Sequence, residues 1–227
     1  MESGPSKRKE IIDTLNGKSE EKLKSFNHTL EAFQSLKNAL HELSGEINEE
    51  INNNRVIKVE YRDKGQYEAQ LQFASDILIF NMHTNVFQFN RDHAVWNLDY
   101  VKLNKFNTLC GVINVYNFLA DSFKKNRTTD EGYLVARIYI NHDGYFFVEG
   151  KRMQKYNVST FGSRKLDDEV MVDIVEILML YAMNFDLLVP PFDTVKVIEV
   201  EQMNTKVENS KISTGKRLGY TYNTDDI

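Results

Sequence analysis

The sequence predicts an α+β fold: a long N-terminal amphipathic helix, an antiparallel β-meander, a central β-hairpin between two buried helices, and one further strand. Three observations carry this. A heptad-like apolar stripe runs through the first fifty positions. Short runs of alternating apolar and polar residues follow, joined by glycine-bearing loops. Helical patterns are interspersed among these runs, which favours an antiparallel α+β arrangement over a parallel α/β sheet.

The elements divide the chain of 227 residues into four parts. Residues 1–18 read as a flexible leader holding at most one short helix around Lys9–Leu15. Ser19, followed by Glu20, Glu21 and Lys22, predicts a hydroxyl cap with acids in the first turn. The long helix then covers 19–53. Phe26, Phe33, Leu40 and Ile47 recur by sevens, with Leu36 and Leu43 three further on. Such a stripe serves either packing within the chain or pairing with a second copy.

Residues 54–203 form the α+β domain. Ile57–Tyr61 and Tyr67–Phe73 alternate about Asp63-Lys64-Gly65. A three-residue loop ending in Gly pairs Tyr61 with Tyr67, with Gly65 at positive φ. Asp76–Met82 and Val86–Asn90 read as a further hairpin, with Leu78, Phe80, Met82, Phe87 and Phe89 on one face. His83 and His93, with Asp92 nearby, lack the spacing of a metal site and read as turn or surface residues. Leu109, Val112, Ile113, Tyr116, Leu119 and Phe123 fall at helical spacing, so Leu109–Phe123 reads as a buried helix.

The central hairpin is Tyr133–Ile140 and Tyr145–Val148 around His142-Asp143-Gly144. With Gly144 at the third loop position, Asn141 faces Tyr145, Tyr139 faces Phe147 and Arg137 faces Glu149. One face is apolar throughout. The other carries Arg137, Glu149 and Lys151 beside Tyr139 and Phe147, and charges in apolar surroundings are paired or functional. After it, 151–165 holds Lys151, Arg152, Lys155, Arg164 and Lys165, the one local basic concentration beside that face. Asp167 and Asp168 cap a last apolar helix, and Thr194–Val200 reads as a strand. Residues 204–227 are a polar C-terminal tail.

Composition bounds the function. Hydrophobic residues make up 41% of the chain and aromatics 11%, enough for a real core. The net charge of −5 gives no global field to attract nucleic acid. The lone Cys110 excludes an intrachain disulfide. No apolar run is long enough to span a bilayer, and the simplest location is the cytoplasm. Thr214-Gly215-Lys216 lacks the upstream glycine of a phosphate loop.

The stretch from Asp130 to Lys151 resembles, at motif level, the PD-(D/E)XK nucleases. Asp130 precedes one strand, and Glu149-Gly150-Lys151 ends the next. The resemblance implies that Asp130 and Glu149 hold Mg²⁺ while Lys151 positions the attacking water. No Pro precedes Asp130, and Arg137 stands opposite Glu149, where it would compete with a metal for the carboxylate. The residues therefore favour a cytoplasmic, non-catalytic protein that binds a partner protein or an anionic ligand. Its binding residues would be Arg137, Glu149, Lys151, Arg152, Lys155 and Arg164, with no metal or other cofactor. Glu149 would be paired with Arg137, and Asp130 turned to solvent. A Mg²⁺-dependent nuclease is the alternative, and a homodimer held through 19–53 the second.

Overall fold

A computed structural model describes residues 6–51, 57–128, 130–185, 192–197 and 199–200. The expected polar tail, 204–227, lies outside the described residues. The fold is α+β, with helices laid on an antiparallel sheet.

Helix starts with α1, Lys7–Thr14, where the Ser6 hydroxyl accepts a hydrogen bond from the Lys9 amide. A π-helical turn over Leu15–Ser19 leads directly into α2, Glu20–Glu50. Ser19 has helical torsions and caps nothing, so the helix start expected there lies further upstream, at Ser6.

The sheet has seven strands among the described residues: β1 Val59–Asp63, β2 Glu68–Phe73, β3 Asp76–Met82, β4 Phe87–Gln88, β5 Leu109–Leu119, β6 Tyr133–Asn141 and β7 Phe146–Gly150. Every pairing is antiparallel, and the strand order follows the sequence. This is a meander interrupted by one long connection, from β4 to β5.

Leu109–Phe123, expected as a buried helix, is instead β5 with a short helix α4, Ala120–Lys124, at its end. The cause is burial on both faces. Ile113 and Val115 enter one core while Cys110 and Val112 enter another. A strand covered on both sides is apolar throughout and shows no alternation. The central hairpin thus lies between a strand and one helix, α5, Asp168–Met183, not between two helices. Asp167 caps α5, its Oδ1 accepting from the Val170 amide at 2.9 Å. The strand expected at Thr194–Val200 does not form over its first part, where Phe192–Val195 is a helical turn, α6.

Two further expectations shift. Tyr61 pairs with Leu71, not Tyr67. Gly65 does have positive φ, at 98°. It opens the loop rather than closing it, because Asp63 Oδ1 accepts from the Gly65 amide and from Lys37 of α2. The register therefore moves by an even number of residues, and each strand keeps its predicted face. The second difference concerns β3 and β4, which are not a hairpin. Met82 pairs with Ile113 and Phe87 with Cys110, so β4 resumes the course of β3 along β5 after a bulge. Because the chain does not reverse there, alternation puts Phe89 on the opposite face from Leu78 and Phe80.

The central hairpin has its predicted register. Arg137 pairs with Glu149 and Tyr139 with Phe147, and the turn Gly144 has φ 79°. Its apolar face joins the main core, where α2 and α5 cover the sheet. Phe33, Leu36, Leu40 and Leu43 of the heptad-like stripe are buried there, against their own chain. Ser25 donates to the Leu109 carbonyl at 2.8 Å, and Gly111 lets Thr29 approach β5 closely. The second face carries a smaller core of Val95, Val101, Val112, Tyr139, Phe147 and Phe161. It is roofed by the segment leaving β4, which includes a 3₁₀ turn, Ala94–Asn97, and the short helix α3, Asp99–Leu103.

Candidate functional site

On the second face, strand register sets the residues in rows. Asn114, Arg137 and Glu149 form one row across β5, β6 and β7, and Val112, Tyr139 and Phe147 form the next. The roof covers the apolar row and stops at the polar one. A cleft of about 760 Å³ opens at this step, lined among others by His83, Phe89, His93, Asn114, Arg137 and Glu149. That size lies in the range of small-ligand sites, roughly 300–1,000 Å³. Phe89 stacks on His93 with centroids 4.6 Å apart and meets the Tyr139 ring edge at 4.9 Å, giving an aromatic wall.

Glu149 is the best-satisfied group in the cleft. His93 Nε2 lies 3.1 Å from its Oε1, and the Tyr139 hydroxyl donates to Oε2 at 3.0 Å. Arg137 Nη1 stands 3.6 Å from Oε2, beyond hydrogen-bond length. The expected Arg137–Glu149 pair is therefore present but loose, and the carboxylate is held mainly by His93 and Tyr139. Burial and the adjacent Glu149 charge push the Tyr139 hydroxyl up to about 12, so it stays a donor. A hydrogen bond with Tyr139 raises Arg137, which keeps its charge.

Both cleft histidines have a defined tautomer. His93 Nδ1 accepts from the Val95 amide at 3.2 Å, and His83 Nδ1 accepts from the Asn85 amide at 2.9 Å. A backbone N–H only donates, so each Nδ1 is unprotonated and each neutral ring carries its proton on Nε2. His93 uses that proton on Glu149. His83 Nε2–H has no such partner on Glu149 and adds a donor to the cleft lining. Neither ring offers a free basic nitrogen, so neither is placed as a general base.

The other cations named from sequence lie elsewhere. Lys155 is 2.9 Å from Asp173 of α5, which also accepts from the Tyr156 hydroxyl. Lys155 holds the Asp173 carboxyl below its ordinary range. Arg164 contacts both Asp167 oxygens. The Arg152 guanidinium sits 6.0 Å from the Tyr181 ring centre, and Lys151 is exposed in the turn after β7. Lys155, Arg164 and Arg152 thus face α5, and the structure does not gather them with Arg137 and Glu149.

Asp130 also departs from expectation. Rather than facing solvent, its side chain is fully buried, accepting from Ser122 Oγ at 2.5 Å and standing 3.0 Å from Arg127 Nε. It precedes β6, whose first residue Tyr133 pairs with Asn117, three strand positions and so ~10 Å from the Asn114–Arg137 pair. A carboxylate enclosed with its own arginine does not share a metal with Glu149. Among the described residues no group of three or more His, Cys, Asp or Glu could hold a metal ion. The Asp130, Glu149, Lys151 set does not fit Mg²⁺.

Sequence reasoning placed Arg137, Tyr139 and Glu149 on one face but set His83 and His93 aside. Fifty-six positions separate His93 from Glu149, and β4 pairs with β5 instead of turning back on β3, so the segment after it reaches this face. No family model, no curated protein and no solved structure matches this chain. Among the described residues no helix is long and apolar enough to cross a membrane.

Proposed function

We propose that the protein is a non-catalytic binding module whose cleft takes a ligand with an aromatic or apolar body and an anionic group. The observation that carries this is an asymmetry of hydrogen bonding. Glu149 is held by two short bonds, whereas the half-exposed Arg137 makes a long contact to it and one bond to Tyr139, fewer than its five N–H donors can serve. Arginine carries a planar fork of donors suited to carboxylate or phosphate. Arg137 therefore presents unused donors to the cleft, beside His83 Nε2–H and the Asn114 amide. The Phe89 and Tyr139 rings supply a surface for the ligand's body. The absence of a free basic nitrogen on His83 or His93 favours binding over acid–base chemistry.

The test is calorimetric titration with phenyl phosphate and with benzoate. Binding should weaken on the order of tenfold or more in Arg137→Gln, the loss of one charge-assisted contact. Equal affinity for wild type and Arg137→Gln would refute the reading.

A further inference from the structure

The cleft continues past the Arg137–Glu149 pair into a second hollow. This hollow, about 220 Å³, is lined by Leu134, Val135, Ala136, Arg137, Glu149 and Gly150. Leu134 is 39% exposed, an uncovered aliphatic side chain at this rim. Gly150 pairs with Ala136, and a Cβ there would stand 2.7 Å from the Val135 carbonyl oxygen and 3.1 Å from Ala136 Cβ, so only glycine fits at this rim. The two hollows thus share one pair of charged residues and lie on either side of it.

Both hollows lie along β6, and their separation selects the kind of occupant. From Tyr139 to Leu134 the strand advances roughly 13 Å, because a bulge at Val135 sets the two opposite Val112 and Tyr116, four residues apart on β5, with Arg137 between. A compact small ligand fills one hollow and reaches Arg137, but does not reach the other. An extended polypeptide places alternate side chains on one side about 7 Å apart, which matches an apolar, charged, apolar succession along β6. The Arg137 charge complements an acidic central residue.

We propose that the occupant is an extended segment of a partner protein, read as aromatic, any residue, Asp or Glu, any residue, aliphatic. The aromatic side chain lies against Phe89 and Tyr139, the acid on Arg137, and the aliphatic one over Leu134 and Gly150. This rests on the anion-binding reading of the cleft.

The experiment uses the full chain and fluorescently labelled short peptides containing Phe-x-Asp-x-Leu, its scrambled order, and versions with Asn for Asp or Ser for Leu. Anisotropy should show the ordered peptide binding about tenfold or more tighter than the Asn version. Arg137→Gln should abolish that difference. Leu134→Ser, at a position exposed enough to leave the core intact, should weaken only peptides that carry the Leu. The ordered peptide should also displace phenyl phosphate. If phenyl phosphate binds through Arg137 while ordered and scrambled peptides bind alike or not at all, the peptide assignment fails and the anion site stands. If neither probe responds to Arg137→Gln, both fail.

Discussion

Gly111 is the point where α2 and β5 come closest, and Gly111→Ala tests that contact directly. A Cβ at this position would stand 2.8 Å from Thr29 Cβ and 3.0 Å from Thr29 Cγ2, with Thr29 Oγ1 closer still. Thr29 is wholly buried, and its hydroxyl donates to the Ser25 carbonyl at 2.7 Å, so it has no free space to rotate into. Helix and strand must therefore separate, loosening the bond from Ser25 to the Leu109 carbonyl. Overpacking of this kind costs about 1–3 kcal/mol. Thr29→Gly alone should also destabilise, by about 1 kcal/mol for a helical glycine plus the lost packing. The double variant Gly111→Ala with Thr29→Gly removes the clash. Its loss should fall short of the sum of the single losses by roughly 0.5–3 kcal/mol, the range of couplings between residues in contact. Urea unfolding followed by circular dichroism measures all four corners of the cycle. Strictly additive losses, or a Gly111→Ala loss within about 0.5 kcal/mol, would refute the close helix–strand contact.

Leu40→Ala should cost about 2–5 kcal/mol, because Leu40 is fully buried, and its unfolding midpoint should not change with protein concentration. A concentration-dependent midpoint would return the stripe to an interface between copies. Asp130→Asn should destabilise by about 3–5 kcal/mol, the cost of breaking an ion pair whose carboxylate is fully buried. Tyr139 ionises near 10 when unfolded but only at about 12 when folded, so stability is full below pH ~10 and falls as pH rises toward 12. Tyr139→Phe should flatten this fall in alkaline unfolding curves, and an unchanged slope would contradict the buried, Glu149-bonded hydroxyl. No Mg²⁺-dependent cleavage of DNA or RNA is expected; cleavage abolished by both Glu149→Gln and Lys151→Ala in folded protein would restore the nuclease reading.

How much the sequence revealed depended on the range of the forces involved. The central hairpin was legible to the residue, because Gly144 and a three-residue loop leave one register that puts Ala136, Ile138, Phe146 and Val148 together. The Asp167 cap was legible for the same local reason. The β1–β2 register was not, because Lys37 of α2 draws on Asp63 from far along the chain and reshapes the loop. β5 was misread because its residues are wanted by two cores at once, which erases alternation and leaves spacings that mimic a helix. At the cleft, the strand residues Arg137, Tyr139 and Glu149 could be placed together from pattern alone. His83, Phe89 and His93 could not, since their position depends on β4 pairing with the distant β5 and not with β3.

The sheet is laid down in chain order, yet the helix that covers it comes first. Ser25 and Leu109, which bond, are 84 positions apart. As the chain leaves the ribosome at ~5–20 residues per second, roughly 80 residues separate Leu40 from the end of β5, a delay of about 4–16 s. During that interval Phe33, Leu36, Leu40 and Leu43 have at most the first three strands to rest on, and lack the central strand β5. The nascent protein therefore passes through a stage in which an apolar helix face is complete before the sheet that buries it. Errors at that stage, such as capture by another nascent chain, depend on translation speed and crowding rather than on the stability of the finished fold.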